Sequence, residues 1–268
     1  MRVVDIRIYP VKSGAGCPVP EATVEPWGLA GDRRWAVVDE AGDNLWLGEY
    51  PRMASVRAQN VDGGGLLLSA PGLPDLQVPP AAGEPVPVGF TGLDRAIPAG
   101  DEAHAWFTRL LGRTARLVWL DDPHRRTIDP AHGGLPGEVV SFAWDAPLLL
   151  TSAASLRVLD EQIGGDTPLD MARFRPNAVI DGAAPYAEDS WTDVRIGEVD
   201  FRVSELCDRC AVTTIDPVTL VKGKEPLRTL AKHRRWDGKT WFGIRLVPRN
   251  PGRLRLGDPV TVTSDGQG

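Results

Sequence analysis

Turns punctuate this chain so often that few long elements fit between them. From Ala54 to Pro98, short runs such as Val56–Asn60 and Leu66–Ser69 alternate with Gly- and Pro-rich turns, the pattern of a small antiparallel barrel or sandwich. The same grammar recurs elsewhere. Arg2–Tyr9 is a β-branched run closed by Pro10. Ala36–Asp39, the turn Glu40–Asp43 and Asn44–Leu47 predict a hairpin, as do residues 192–205 around Gly197. Ala115–Leu120 reads as a strand, and Trp241–Val247 and Pro259–Thr263 are strands placed to close a barrel. Helices are few. Asp101–Leu111 carries Trp106, Phe107, Leu110 and Leu111 on one face, with Asp101 as its cap and Gly112 at its end. A second helix, with Leu156, Leu159 and Ile163 on one side, follows the apolar Leu148–Leu150, and Pro226–His233 is a third. The expected class is α+β and β-rich: a β-barrel in residues 121–268, and a smaller antiparallel β domain in residues 1–120.

Composition removes several functions. The 268 residues are 42% hydrophobic and include nine tryptophans, ample for a packed core. No apolar run approaches a bilayer span, and Met1–Pro10 carries Arg2, Asp5 and Arg7 where a signal peptide needs an apolar stretch, so a cytoplasmic protein without membrane contact is expected. Three cysteines make no disulfide framework, which suits a reducing compartment. A formal net charge of −6 gives no reason to expect nucleic acid, so any bound anion needs a local basic cluster.

The chemistry concentrates in Leu206–Leu220, where Cys207 and Cys210 flank Asp208 and Arg209. Cys-x-x-Cys spacing serves zinc knuckles, thioredoxin-like pairs and single-thiolate metal ligation. Zinc is disfavoured because Cys17 lies far upstream and His104, His124, His132 and His233 show no paired spacing. A thioredoxin-like site needs a helix after the first cysteine, whereas Ala211–Ile215 reads as a strand, so disulfide exchange ranks second. A thiolate poised by Arg209 ranks first, and two small buried hydrophobes at a strand start are the plain structural alternative. Dispersed groups elsewhere suit an anion. The turn Val11–Gly16 offers Lys12, Ser13 and backbone N–H groups but lacks the glycine spacing of a Walker loop. Of Arg33 and Arg34, one can face a ligand while the other lies on solvent. Thr151 and Ser152 stand where a strand gives way to a helix; capping is the favoured role, and phosphate contact the alternative. In Phe174-Arg175-Pro176-Asn177 the proline fixes a bend with Arg175 and Asn177 on either side.

In this order the motifs Tyr9-Pro10-Val11-Lys12-Ser13, Asp32–Trp35, Phe174–Asn177, Tyr186–Trp191, Cys207–Cys210 with Thr213–Pro217, and Gly257–Val260 resemble the MOSC family over nearly the whole chain. The resemblance is nearest to the stand-alone branch that includes the mitochondrial amidoxime-reducing component and its bacterial relatives. It implies a MOSC barrel with an N-terminal companion domain that binds the molybdenum–molybdopterin cofactor, and no pyridoxal phosphate. It also implies that Cys210 ligates molybdenum, while Lys12, Ser13, Arg33, Thr151, Ser152, Arg175, Asn177, Asp208 and Arg209 hold the pterin and its phosphate. Three positions depart from the family pattern: Asp208 replaces Ser or Pro, Leu220 replaces a closing Gly, and Gly14 replaces a Cys.

The activity implied is reduction of small N-hydroxylated compounds (amidoximes, hydroxylamines and N-hydroxylated bases), the oxygen leaving as water. The chain carries no four-cysteine iron–sulfur pattern and no flavin or nicotinamide fingerprint, so electrons are expected from an external ferredoxin, flavodoxin or cytochrome-type protein with its reductase. A carrier of molybdenum cofactor or of persulfide sulfur is the alternative, and a binding module with a decayed metal site the third possibility.

Overall fold

Val199–Asp208 and Lys239–Pro248 pair antiparallel as the spine of a nine-stranded sheet in the computed structural model, which describes residues 1–263. Outward from the first lie Asp193–Ile196 and Val260–Thr263. From the second the sheet continues through Leu148–Ser152, Ala178–Asp181, Arg2–Ile8 and Cys17–Pro18, with Arg235–Trp236 pairing the near end of Lys239–Pro248. The sheet curls shut: Val3 N–H donates to Asp258 O at 3.0 Å, and Gly257 N–H donates to Val3 O at 2.9 Å. Closure removes an exposed edge and encloses an apolar core of Ile6, Val194, Phe201, Ile244 and Leu246.

Among the described residues there are three α-helices, two packed on strands of this sheet and one on strands of the N-terminal region. Helix α1 (Asp101–Leu111) lays Trp106, Phe107 and Leu110 into a second core with Trp35, Met53, Leu66 and Leu117. Helix α2 (Ala153–Ile163) carries the chain between the parallel strands Leu148–Ser152 and Ala178–Asp181. Its Leu159 meets Phe174, Phe242 and Leu230, the last from helix α3 (Leu227–His233).

The N-terminal region contributes a four-stranded sheet (Trp35–Val38, Arg116–Trp119, Leu93–Pro98, Val86–Phe90) and a three-stranded one (Arg57–Val61, Gly65–Ser69, Leu76–Val78). The earliest residues are woven into the barrel instead: Arg2–Ile8 and Cys17–Pro18 belong to the large sheet, and Glu21–Glu25 pairs with Gly252–Arg255. Ile215 from the cysteine segment is buried in the N-terminal core, which presses that segment between the two regions. Among the described residues no helix is long and apolar enough to cross a membrane.

Three sequence expectations change. Ala211–Thr214 is a 3-10 turn, not part of a strand, because the Thr213 and Thr214 hydroxyls donate to the carbonyls three residues back, at 3.0 and 2.7 Å. Asn44–Leu47 forms only a bridge to Val38, since the Asp39 carboxylate accepts from Ala41 N–H at 3.0 Å and Asp43 N–H at 2.9 Å and closes the loop itself. Gly100, not Asp101, caps α1, at a φ of 99° that disfavours a side chain.

Candidate functional site

The turn after the first strand builds one wall of a cavity of about 350 Å³. Lys12 N–H donates to Trp35 O at 2.7 Å, and Gly14 N–H closes onto Val11 O at 2.9 Å. Gly16 is required here: a Cβ on it would lie 2.5 Å from the Tyr9 ring, which is buried and fixed through its hydroxyl to Pro176 O at 3.1 Å. Against that ring rest two guanidiniums, Arg33 at 4.2 Å and Arg175 at 4.5 Å from its centroid.

The two arginines are held differently. Arg33 donates to buried Asp32 at 2.6 Å, to Asn177 Oδ1 at 2.8 Å and to Arg175 O at 3.1 Å. Burial raises the Asp32 carboxyl above its usual range, against the pull of Arg33. Arg175 stands in the left-handed region at φ 59°, so the bend at Pro176 swings its guanidinium over Tyr9, where it makes no hydrogen bond or ion pair among the described residues. Burial lowers it to about 10. Lys12 Nζ donates to Phe142 O at 2.7 Å and lies 5.2 Å from the Trp144 ring centroid; burial, then Arg126 and Arg33, push it well below the ordinary lysine range.

The opposite wall is the end of Val199–Asp208. Register shifts between Val203 and Glu205 and between Leu206 and Asp208 bulge this strand against Lys239–Pro248. Across the bulges Gly243, at φ 80°, approaches Leu150 O so closely that a Cβ would lie 2.7 Å from it. Beyond the bulges the two cysteines part. Cys207 is buried and accepts from Arg209 Nη1 at 2.8 Å, while Arg209 Nη2 donates to Phe174 O at 2.6 Å. Cys210 is exposed at the cavity, and its sulfur has no hydrogen-bond partner among the described residues. The three cysteines are free; Cys17 lies away from this cavity, its thiol donating to Ala58 O at 3.1 Å.

Lys12, Ser13, Arg33, Arg175, Asn177, Asp208, Arg209 and Cys210, from four separated segments, all line this cavity. Thr151 and Ser152 do not. Both are fully buried: Thr151 donates to the Met171 sulfur at 3.3 Å, and Ser152 caps α2, its hydroxyl oxygen 3.5 Å from Ser155 N–H. Asn177 serves Arg33 and the backbone. Arg34 packs between Trp27 and Trp119 and donates to Leu120 O at 3.0 Å rather than lying on solvent.

Sequence reasoning missed the group behind Asp208. Arg245 pairs with Asp208 at 2.8 Å, with Asp145 at 3.2 Å and with Glu205, while His132 Nδ1 lies 3.1 Å from Glu205. Burial opposes the Arg245 charge, but Cys207, Glu205, Asp145 and Asp208 outweigh it and raise its pKa. Burial also raises the Asp145 carboxyl. A usable signal was Arg245 itself, a charged residue in an otherwise apolar strand. Trp46 and Trp144, both partly exposed, flank the cavity and carried no such signal.

The cavity suits an anionic group that also binds a thiolate. Arg175 is half-buried without a partner among the described residues, the buried Arg209 Nε has none, and the Cys210 sulfur opens onto the same space. Comparison with known proteins places the chain in one family. Residues 137–261 match the model of the MOSC domain, and residues 1–114 that of the MOSC N-terminal beta barrel domain. The chain is 35% identical to mitochondrial amidoxime-reducing component 1 of Homo sapiens, over 96% of this chain and 82% of that protein. It is 32% identical to mitochondrial amidoxime reducing component 2 of Rattus norvegicus, over the same shares. It is 33% identical to molybdenum cofactor sulfurase of Oryza sativa subsp. japonica, over 90% of this chain and 32% of that protein.

Proposed function

The chain belongs to the MOSC family, and from that membership we propose that it is a molybdenum-cofactor-dependent reductase of N-hydroxylated compounds such as amidoximes and hydroxylamines. The single observation that carries the proposal is the unpartnered Arg175 guanidinium sharing a cavity with the unpartnered Cys210 sulfur. One offers a fork for a phosphate; the other offers a soft ligand for a metal. When bound, the cofactor supplies two-electron cleavage of the N–O bond, the net change being R–NHOH + 2 H⁺ + 2 e⁻ → R–NH₂ + H₂O.

The chain's own residues bind and orient. Arg175, Arg33 and Lys12 would receive the phosphate, with Tyr9 and Asp32 fixing the first two from behind. Ser13 accepts from Leu47 N–H at 3.1 Å, which leaves its hydroxyl proton to donate. Arg209 braces Cys207 and the Phe174 carbonyl, and so sets the loop on which Cys210 is exposed. The ion pair of Asp208 with Arg245 holds its carboxylate back from the anion-binding arginines. Trp46 and Trp144 would limit water at the mouth and offer faces to planar substrates. Electrons come from an external protein, and the three free cysteines fit our placement of the chain in the cytoplasm.

Likeness to a molybdenum cofactor sulfurase favours a second reading, a carrier of cofactor or sulfur. Reduction of benzamidoxime by the loaded protein with dithionite-reduced methyl viologen decides between them. Turnover supports the reductase; cofactor content without turnover supports the carrier.

A further inference from the structure

The eighteen residues 222–239 carry seven lysines and arginines against two acids, Glu225 and Asp237, in a chain whose formal net charge is −6. This stretch is a surface of contiguous elements. The loop to Lys224 is tied back by Gly223 N–H to Thr214 O at 2.9 Å, α3 packs on Lys239–Pro248 and on the turn Ala211–Thr214, and the chain then turns back through Arg235–Trp236. Two of its cations are already engaged, Arg228 with Glu225 and Arg234 with Asp189. Lys222, Lys224, Lys232, Arg235 and Lys239 are exposed and form no ion pair among the described residues. Like charges held this close repel one another and are relieved by an acidic partner.

The face also reaches the site. Cys210 directly precedes the turn on which α3 packs, and Arg209 N–H donates to Thr240 O at 2.7 Å. Trp236, 38% exposed amid these cations, lies 6.0 Å from Trp241 between ring centroids, and Trp241 stands opposite Asp208 in the strand register. An apolar aromatic within a ring of cations is the anatomy of a docking surface, with charge for steering and an anchor for contact.

We propose that α3 and the Arg235–Thr240 hairpin form the docking face for an acidic electron-transfer protein. This inference rests on the reductase reading above. Per turnover two electrons pass from the carrier at this face, in one docking event or in two successive ones according to whether the carrier gives two electrons or one, the N–O bond of the substrate is reduced, and two protons come from solvent. Two such faces repel each other, so pairing of copies face to face is disfavoured, and an acidic partner is favoured.

The test titrates cofactor-loaded protein with an acidic flavodoxin at about 50 and about 300 mM salt, for the wild type and for the triple variant Lys232→Glu, Arg235→Glu, Lys239→Glu. Flavodoxin affinity should fall at least about tenfold in the variant and fall with salt in the wild type, while viologen-driven benzamidoxime reduction and Tm stay unchanged. Flavodoxin affinity equal in both proteins overturns the proposal. So does loss of binding to phosphatidylserine vesicles without loss of flavodoxin binding, which reassigns the face to a membrane surface. Patch-dependent flavodoxin binding by a protein that never reduces benzamidoxime contradicts the reductase reading and supports the docking face.

Discussion

The Arg209 guanidinium donates to the sulfur of Cys207, at 2.8 Å, and not to that of Cys210. The cation expected to poise the reactive thiol therefore braces its buried neighbour, and the Cys-x-x-Cys motif separates into a buried, braced half and an exposed half at the cavity, to which we assign the chemistry. Serine at 207 shortens the acceptor in a packed site, so Cys207→Ser should lower Tm by a few degrees, roughly the effect of 1 kcal/mol, and keep substantial activity. Cys210 is exposed and unpartnered, so Cys210→Ser should leave Tm unchanged, retain pterin and abolish benzamidoxime reduction. Equal loss in the two variants contradicts this division.

Arg175 carries a half-buried charge with no partner among the described residues, an arrangement that costs stability unless an anion answers it. Arg175→Lys keeps the charge but loses the fork, and should weaken cofactor retention roughly tenfold, read as molybdenum and pterin content after dialysis. Arg175→Met should empty the site while leaving the Tm of the cofactor-free protein unchanged or raised. A sharp fall in that Tm would make the arginine a structural residue.

Much of this site was legible in the sequence, because a turn with Lys and Ser, an Arg before a Pro, and a Cys pair are local features whose residue types limit their geometry. Helix α1 and the Val199–Asp208 hairpin were legible for the same reason, periodicity ended by glycine. What escaped was long-range. Nothing local links His132, Asp145, Glu205 and Arg245: Glu205 and Arg245 meet as register partners on the paired strands Val199–Asp208 and Lys239–Pro248, and His132 and Asp145 reach them from outside those two strands. The turn Ala211–Thr214 was misread because β-branched threonines that pack well in strands here spend their hydroxyls on carbonyls three residues back. Asp39 hid the loop before Asn44 in the same way, by satisfying backbone donors with its side chain.

Gly16 lies against the Tyr9 ring that carries both arginines. Gly16→Ala places a methyl group inside that contact and should cost about 1 to 3 kcal/mol, with cofactor retention falling as well. Thermal unfolding and metal content measured together check this; loss of stability with full retention would detach Tyr9 from cofactor binding.

Glu188 is fully buried beside the start of α2, with Oε1 accepting from the Ser155 hydroxyl at 2.7 Å and Oε2 without a partner. Burial raises its carboxyl above the ordinary 4.5. A raised folded pKa gives stability that is full below the unfolded value and lost as pH rises through the folded one. Relative to Glu188→Gln, the wild type should therefore gain Tm as pH falls from about 7 to about 5. The opposite trend in paired melts would show a carboxylate stabilised in its charged form.

The most direct measurement is elemental and pterin analysis of the protein purified from a host competent in molybdenum cofactor synthesis, with Arg175→Met alongside. About one molybdenum and one pterin per chain are expected in the wild type, and little of either in the variant. A wild-type protein that emerges folded but free of both, and takes up neither when cofactor is added, would contradict the assignment of this cavity.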